Sequence, residues 1–466
     1  MRDSTPGRRS AHQSHAAFDT TTVLAVLVPI VTVLAVLLVR PEEAAVVDRH
    51  PTRTSLTSAS IVCPSALPGA AAASLTTAEK GVRGTVRVTN GSGPAEERIA
   101  FGAVTRVDRG TGPLTVTGQG ELAPGLVGAR FGSRQVAAVA CPAPSPDQWF
   151  TGIGAGPSRN SVVELVNPDA GPAVADVTVH GGAGVLDVPR LRGVAVPGRS
   201  SVRLDLGSIV PRRGDLALHV VTQRGRLATS VVASYDALGA ARPSAEWLPG
   251  QPEPARHNVL MGLAPGDGTR TLVVANDGGD EVRATVRFIS RESVFAPRGV
   301  AELRVPPGGV QRVGITAALE AALRRGTIGV DLTSSGPVAA SLLSYVDGDL
   351  SHAVSGTPVT TGATVLVPEG RKQVVLGGVD SVGVVTVESR SAGGKVLART
   401  RAALRPGRGA AVKVPDGAVL VSVLPERASV TGSVLVSGTG DAVVPLTPLV
   451  RSGLVPDVRP GLPSAG

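Results

Sequence analysis

The chain has 466 residues, of which 42% are hydrophobic and 2% are aromatic. This length allows several domains with apolar cores. So few rings disfavour glycan-binding and single-stranded nucleic-acid surfaces, which stack their ligands on aromatic side chains. The net charge of +9 comes mainly from arginine. Because no basic helix or basic patch interleaved with rings is present, we expect no nucleic-acid partner. Such a basic surface is either simply solvated or attracted to anionic lipids and wall polymers.

The first predicted element is a transmembrane helix over residues 20–39, a run without a charged residue. A helix of about 20 residues spans the hydrocarbon core of a bilayer, and a span tolerates a proline such as Pro29. A buried helix of a soluble domain is a poor alternative, because apolar runs of this length are rare there. A cleaved signal peptide is the closer alternative, but its apolar region usually has only about 7–15 residues. The run therefore predicts an uncleaved signal anchor.

The charges beside this run predict its orientation. Arg8 and Arg9 lie shortly before it, and positive residues next to a span usually remain cytoplasmic. We therefore expect residues 1–19 in the cytoplasm and the bulk of the chain outside it, in a single-pass protein of the cell membrane. Residues 40–58 are rich in proline, glutamate, threonine and serine, which predicts an extended linker.

Residues 59–146 are predicted to form a first β-sandwich domain, and they contain both cysteines, Cys63 and Cys141. Outside the cytoplasm, an isolated cysteine pair most simply forms one disulfide. A metal site would need further ligands, and no histidine cluster lies near either cysteine. We therefore predict that the two cysteines are bridged and tie the first strand of this domain to its last.

A repeat with a period of about 110 residues follows, with copies over residues 147–250 and 251–356. Each copy contains an alternating strand that ends in an asparagine, Asn167 or Asn276, and is followed by a turn. The next strand of each copy alternates apolar and polar residues, which indicates one buried face. Several short alternating strands in about 110 residues are typical of an immunoglobulin-like sandwich.

Residues 357–450 are predicted to form a fourth, more diverged sandwich, and residues 451–466 a loose tail. One helix is expected among the strands, over residues 317–325, with Gly326 as its stop signal. The predicted fold is thus all-β: one N-terminal transmembrane helix followed by tandem immunoglobulin-like β-sandwich domains.

Trp247 lies in a Glu-Trp-Leu-Pro segment at the boundary between the two repeats. An exposed tryptophan there would be a ligand contact. A single tryptophan beside leucine and proline is more often buried. We therefore predict that Trp247 packs the junction between neighbouring sandwiches.

Residue types that commonly catalyse reactions or bind metals are scattered along the sequence. The seven histidines show no metal-ligand spacing, and His180 and His219 fall at strand ends, where a surface position is expected. Short signatures of hydrolases, zinc proteases and nucleotide-binding loops are absent from the sequence. The acidic turns at 277–281 and 347–349 resemble calcium ligands, although aspartate and glycine are also ordinary turn residues, which we favour. We predict no catalytic, cofactor-binding or metal-binding residues and identify no small-molecule substrate.

Several of these features together resemble a known family. They are the single N-terminal span, Cys63 followed by proline, the asparagine-ended strands of the repeat, the segment around Trp247 and a closing stretch over residues 448–460. The chain resembles an actinobacterial family of exported proteins catalogued as domain of unknown function 5719. The resemblance implies a location at the cell envelope and supplies no activity or site residues.

The function expected from these observations is that of a non-enzymatic, membrane-anchored scaffold or binding protein of the bacterial cell envelope, outside the cytoplasm. Strings of sandwiches expose loops and strand edges to partners, so an envelope protein is the expected partner. An anionic wall-polymer or glycan-binding protein is the first alternative. An envelope hydrolase is the second, and it would require a pocket that joins a nucleophile, a base and an orienting acid.

Overall fold

Strands dominate the part of the chain that the computed structural model describes, which is residues 20–38, 52–70, 72–91, 93–236 and 243–455. Two compact units are distinguished. The smaller comprises Met1–Thr52 and Leu454–Gly466, and the larger, Arg53–Gly453, contains the β-sandwiches.

The helix expected at residues 20–39 is present as α1 (Thr20–Leu38), with 19 residues and Pro29 in its interior. Its described side chains are all exposed. Threonines begin the helix, so its apolar stretch starts only at Val23 and is shorter than the about 20 residues of a typical span. Among the described residues, no helix combines the length and the apolar character that crossing a membrane requires. The expected transmembrane helix is thus not found here, and the anchor stays a prediction.

Strand β1 (Thr52–Ser55) comes from the region predicted as a linker. Sandwich 1 follows, with two four-stranded sheets in the orders β2-β7-β4-β5 and β6-β3-β8-β9. Its strands are β2 (Ser58–Cys63), β3 (Ala73–Thr77), β4 (Arg83–Asn90), β5 (Gly93–Ala100), β6 (Thr105–Val107), β7 (Leu114–Gln119), β8 (Leu126–Phe131) and β9 (Ala138–Ala140). Both sheets contribute to one buried apolar core, in which Leu75 of β3 and Val86 of β4 are fully buried.

Sandwich 2 has the strand order β13-β12-β16-β10-β11-β17-β18, with β14 beside β12 and β15 beside β11. Its elements are β10 (Asp147–Ala155), β11 (Arg159–Val166), β12 (Ala173–Gly181), β13 (Gly184–Leu186), β14 (Val194–Val196), β15 (Ser201–Asp205), helix α2 (Leu206–Ile209), β16 (Arg213–Arg224), β17 (Ala228–Tyr235) and β18 (Ser244–Leu248). The β10–β11 connection pairs only Ala155 with Asn160, so the sheet folds over at this point into two layers.

Sandwich 3 has the strand order β22-β21-β25-β20-β24, with β19 and β26 beside β25 and β23 beside β21. Its elements are β19 (Ala255–Met261), β20 (Gly268–Ala275), β21 (Val282–Ser290), β22 (Val294–Phe295), β23 (Leu303–Val305), β24 (Val310–Gly314), helix α3 (Thr316–Leu323), β25 (Thr327–Val346) and β26 (Asp349–Val354). The long strand β25 runs through both layers. Helix α3 occupies most of the expected segment 317–325, and Gly326 beyond it has a positive φ of 84°.

Sandwich 4 again has two four-stranded sheets, in the orders β27-β32-β29-β30 and β31-β28-β33-β34. Its strands are β27 (Ala363–Leu366), β28 (Arg371–Gly377), β29 (Gly383–Arg390), β30 (Val396–Leu404), β31 (Ala410–Val414), β32 (Leu420–Glu426), β33 (Thr431–Ser437) and β34 (Asp441–Pro445). A last strand, β35 (Ser452–Val455), comes from the predicted tail and pairs with β1.

The two asparagines of the repeat have the same structural role. Asn167 is buried; its amide donates to the carbonyl of Gly171 (2.8 Å) and its side-chain oxygen accepts from the N–H of Asp169 (3.0 Å). Asn276 is also buried and makes the equivalent bonds with Asp280 and Gly278, both at 2.8 Å. Each asparagine therefore holds the turn that follows its strand, because a short amide side chain imitates the hydrogen bonds of a backbone turn.

One strand order recurs in all four sandwiches. In sandwiches 1 and 4, the first, sixth, third and fourth strands form one sheet, here called sheet A, and the fifth, second, seventh and eighth strands form the other, sheet B. Sandwiches 2 and 3 follow the same order when β13 and β14 count as one strand beside β12, and β22 and β23 as one strand beside β21. In sandwich 3, β25 then counts as two strands, with residues 327–338 in sheet A and residues 339–346 in sheet B. The immunoglobulin order instead places the first and second strands in the same sheet. The sandwich architecture is therefore present, but the expected immunoglobulin-like topology is not confirmed. Alternation reveals which face of a strand is buried, but not which strand lies beside it.

The sandwiches close into a ring within Arg53–Gly453. At each interface, sheet A of one sandwich packs on sheet B of the next: Val62 on Val166, Trp149 on Val273, Met261 on Val375 and Leu366 on Ala129. The eighth strands, β9, β18, β26 and β34, contact one another in turn. The interface is thus head-to-tail and closes after four copies, as rings of heterologous contacts do.

Candidate functional site

A cavity of about 490 Å³ lies where sandwiches 1, 2 and 4 meet. Its walls are formed by strand β2, the ends of β8 and β9 with residues 142–144, the ends of β17 and β18, strand β27, and the segment that follows β34. Strands β2 and β27 are the edge strands of their sheets. Because these walls come from three sandwiches, the cavity exists only when the ring is closed.

The lining is mainly apolar. The apolar side chains that contribute to it include Ile61, Val139, Leu248, Val365, Leu366 and Leu449. A few polar groups are interspersed, among them Gln148, Ser230 and Thr364. A cavity of several hundred Å³ with an apolar lining and few polar groups is typical of a ligand-binding site.

Arg226 is the one charged residue among the described lining residues. Its guanidinium donates two hydrogen bonds to the Asp169 carboxylate, from Nε at 2.9 Å and from Nη2 at 2.6 Å. This bidentate bond lowers the pKa of Asp169 and raises that of Arg226. Because its charge is already paired, Arg226 offers little to an anionic ligand. The described lining contains no histidine or carboxylate, so it is suited to binding through shape, apolar contact and hydrogen bonds.

The predicted disulfide between Cys63 and Cys141 is confirmed, with the two Cα atoms 4.1 Å apart. Cys63 ends β2 in sheet A of sandwich 1, and Cys141 follows β9 in sheet B. The bridge therefore joins the two sheets. Cys141 also lines the cavity, so the disulfide fixes one of its walls.

Trp247 is 1% exposed and lies in β18. It packs against Leu67, Ala137 and Val139 of sandwich 1, and its Nε1 donates to the carbonyl of Ser65 (3.1 Å). The structure thus places it between sandwiches 1 and 2, whereas the expected location was the boundary between residues 147–250 and 251–356.

The interface between sandwiches 2 and 3 is filled by Trp149, which the sequence did not single out. Its ring stacks on His219, with 4.4 Å between ring centroids, and lies 5.0 Å from His180. The expected surface position is wrong for His180, which is fully buried with its Nδ1 2.9 Å from the Gly308 carbonyl. The His219 side chain is 18% exposed. Burial lowers the pKa of His180. The apparent strand end is covered because a neighbouring sandwich packs on it.

The acidic turn at 277–281 faces these histidines. The Asp277 carboxylate lies 3.6 Å from His180 Nε2 and 4.0 Å from His219 Nδ1, and His219 Nε2 is 2.8 Å from Asp147. Among the described residues, no group of three or more histidine, cysteine, aspartate or glutamate side chains is arranged to hold a metal ion. Asp277 is thus placed to pair with histidine across the interface.

Three carboxyl groups from different sandwiches lie near one another where the eighth strands meet. Asp349 of β26 accepts hydrogen bonds from the Ser244 hydroxyl (3.0 Å) and from the N–H of Asp441 (2.8 Å). Glu246 of β18 is 3% exposed and accepts from the N–H of Trp247 (2.8 Å). Burial raises the pKa of all three carboxyl groups, and that of Glu246 is well above its usual range. Each of these carboxyl groups therefore holds its proton more tightly than an exposed carboxyl group does.

No curated protein matches the sequence. Residues 103–415 match the family of unknown function DUF5719, a segment that begins within sandwich 1 and ends after β31 of sandwich 4. The match covers most of the ring and more than half of the chain, so the chain belongs to the family of unknown function DUF5719.

Proposed function

We propose that this chain is a non-enzymatic binding protein of the bacterial cell envelope, anchored in the membrane through residues 20–39, and that the cavity between sandwiches 1, 2 and 4 receives its partner. The observation that carries the proposal is this cavity, with its volume of about 490 Å³ and its mainly apolar lining. A folded monomer gains stability by filling such a volume with its own side chains. An open apolar cavity is the usual form of a binding site.

Two features support a location outside the cytoplasm. The first is the disulfide between Cys63 and Cys141, since such bridges persist mainly in oxidising compartments. The second is the uncharged run that forms α1, whose described apolar side chains are all exposed. Side chains of this kind are stable only against another apolar surface or a lipid phase.

The binding proposal is tested with a photo-crosslinking residue placed at Val450. Val450 lines the cavity and is 62% exposed, so a probe there reaches a bound partner without disturbing the core. Val382, which is 70% exposed and does not line the cavity, provides the matched control. Irradiation of intact cells followed by mass spectrometry should give a crosslinked envelope component from position 450 only. The same products from both positions would contradict the proposal.

A second cavity supports the wall-polymer alternative. It has a volume of about 440 Å³, and Arg371, Lys372 and Lys413 contribute to its lining. Lys372 is buried, donates to the carbonyl of Asp416 (2.7 Å), and has its pKa lowered to about 8 by burial. Asp416 also contributes to the lining, so the cationic side chains outnumber the carboxylate, and the remaining positive charge would attract an anionic polymer. Replacing Arg371 and Lys413 with glutamine should abolish salt-sensitive retention on isolated cell walls, and unchanged retention would refute this alternative.

A further inference from the structure

The two edge strands that line the cavity between sandwiches 1, 2 and 4 carry backbone hydrogen-bonding groups that have no partner within the ring. Strand β2 pairs with β7 and strand β27 pairs with β32 along one side, and on the other side β27 has a single antiparallel bridge, between Ala363 and Pro448. On the other side, the backbone groups of each strand point toward the cavity. An edge of this kind accepts a further strand wherever nothing covers it.

The direction of these groups follows from the hydrogen bonds at the ends of the strands. In β2, the N–H of Val62 points away from β7 and donates to the carbonyl of Pro142 (2.8 Å). Because backbone groups alternate in direction along a strand, the N–H and C=O of Ser60 point the same way. Over the described residues, neither of these Ser60 groups has a protein partner.

Strand β27 shows the same pattern. The N–H of Val367 donates to Val419 on the β32 side (3.0 Å), while the carbonyl of Gly362 accepts from Leu449 on the cavity side (3.1 Å). By alternation, the backbone groups of Leu366 also face the cavity. Leu366 is 2% exposed, and the described residues supply no partner for these groups. Buried backbone groups without partners are costly, so a ligand with matching groups would be stabilised there.

Prolines explain why the ring pairs with these edges only at isolated points. The segment that faces β2 contains Pro142 and Pro144, and Pro249, Pro445 and Pro448 also line the cavity. Proline has no N–H and cannot continue a ladder of hydrogen bonds. The neighbouring segments therefore cover the edges without pairing with them along their length.

We infer that the ligand of this cavity is an extended peptide segment that adds to β2 as a further strand, with apolar side chains against Val139 and Leu248. Strand addition satisfies the free backbone groups, and the alternate side chains occupy the apolar wall. The cavity-lining part of β2 is Ser58 to Ile61, which accommodates about four peptide residues at about 3.3 Å per residue. A lipid chain would fill the volume but leave the Ser60 and Leu366 groups without partners. This inference rests on the proposed function, in which the cavity is the binding site.

The test begins with a phage-displayed library of random peptides of about seven residues, selected on the purified full-length chain. Selected peptides are then synthesised with and without N-methyl groups on alternate amides. We expect N-methylation to weaken binding by at least about tenfold, the effect of losing one net hydrogen bond. Palmitate is the parallel probe for a lipid chain.

Two matched pairs of variants connect binding to the cavity. Ser60→Pro removes the cavity-facing N–H but leaves the β2–β7 ladder, whereas Ser60→Ala keeps this N–H. Ala140→Leu fills the cavity, and Ala398→Leu introduces the same side chain on the edge strand β30. Peptide binding should fall by at least about tenfold in the first variant of each pair and remain near the parent value in the second. The Ala140 pair keeps the test decisive if the proline variant fails to fold.

The possible outcomes separate the inference from the proposed function. Peptide binding with this dependence on amide groups supports both. Palmitate binding that Ala140→Leu abolishes, without any selected peptide, overturns the peptide inference and leaves the cavity as a binding site. If neither probe binds at the cavity, the proposed function fails together with the inference.

Discussion

Glu246 should make the stability of the ring depend on pH. Its carboxyl group is 3% exposed, and burial raises its pKa well above the usual range, with the nearby Asp349 carboxyl adding to the shift. The N–H groups of Trp247 and Ala138 lower the pKa by less than burial raises it. The folded state therefore holds the proton of Glu246 more tightly than the unfolded state does.

The sign of the effect follows from this order of pKa values. For an acid whose pKa is raised by folding, the contribution to stability is fully present below the unfolded pKa, about 4.3 for glutamate. It is lost as pH rises through the folded pKa. Between the two values, the free energy of unfolding should fall by about 1.4 kcal/mol per pH unit for this group alone. Asp349 and Asp441 have raised pKa values as well and add to the same slope.

Glu246→Gln removes this titration while keeping the shape of the side chain. We expect the variant to be more stable than the parent protein near pH 8 and to show a shallower pH dependence. Urea unfolding followed by tryptophan fluorescence from about pH 4 to pH 8 measures both quantities. Glu302→Gln, at an exposed position, is the matched control. Parallel curves for Glu246→Gln and the parent, or a less stable variant near pH 8, would refute the reasoning.

Three further predictions concern stability. Reduction of the Cys63–Cys141 bridge, whose sequence separation is 78, should lower the free energy of unfolding by about 4.5 kcal/mol; equal urea midpoints with and without reductant would contradict this. Trp149→Ala should cost about 3–5 kcal/mol, because the ring fills the interface between sandwiches 2 and 3. An unchanged thermal midpoint would show that this interface contributes little. The hydrogen bond to Asp331 raises the pKa of His257, so this pair should stabilise the fold below about pH 6.5 and lose its effect as pH rises through the raised pKa. Because His257 is more than half exposed, His257→Gln should remove less than about 1 kcal/mol of pH-dependent stability, as denaturant titrations at pH 5 and pH 9 would show.

Local sequence patterns predicted those secondary-structure elements that depend on neighbouring residues. Alternating residues indicated the strands of the repeat, and a short helix-forming run with a glycine stop indicated α3. The two cysteines indicated their own bridge, because the chain offers no other cysteine partner. Strand order could not be read in this way. That β11 lies between β15 and β17 depends on contacts between residues far apart in sequence.

The cavity and the ring interfaces could not be predicted from the sequence either. Trp149 and His180 are buried because sandwich 3 covers them. The residues near them in the sequence do not indicate that another sandwich packs there. The cavity takes its walls from β2 and β27, which are separated by most of the chain. The local sequence feature related to the cavity is the cluster of prolines after Cys141. Its effect, which is to limit pairing with β2, can be recognised only from the position of β2 beside it.

Ring closure has a consequence for how strong each interface must be. Three of the interfaces join consecutive sandwiches, so their sheets meet at the high effective concentration that a short covalent connection provides. The fourth, between sandwiches 4 and 1, joins parts of the same chain that the other three interfaces bring together. Contacts too weak to hold free molecules together are then sufficient. A single excised sandwich would present both adhesive faces unpaired, and such head-to-tail surfaces generate open chains when nothing closes them. Because four sandwiches are linked in one chain, surfaces that would otherwise polymerise form a closed ring of defined size.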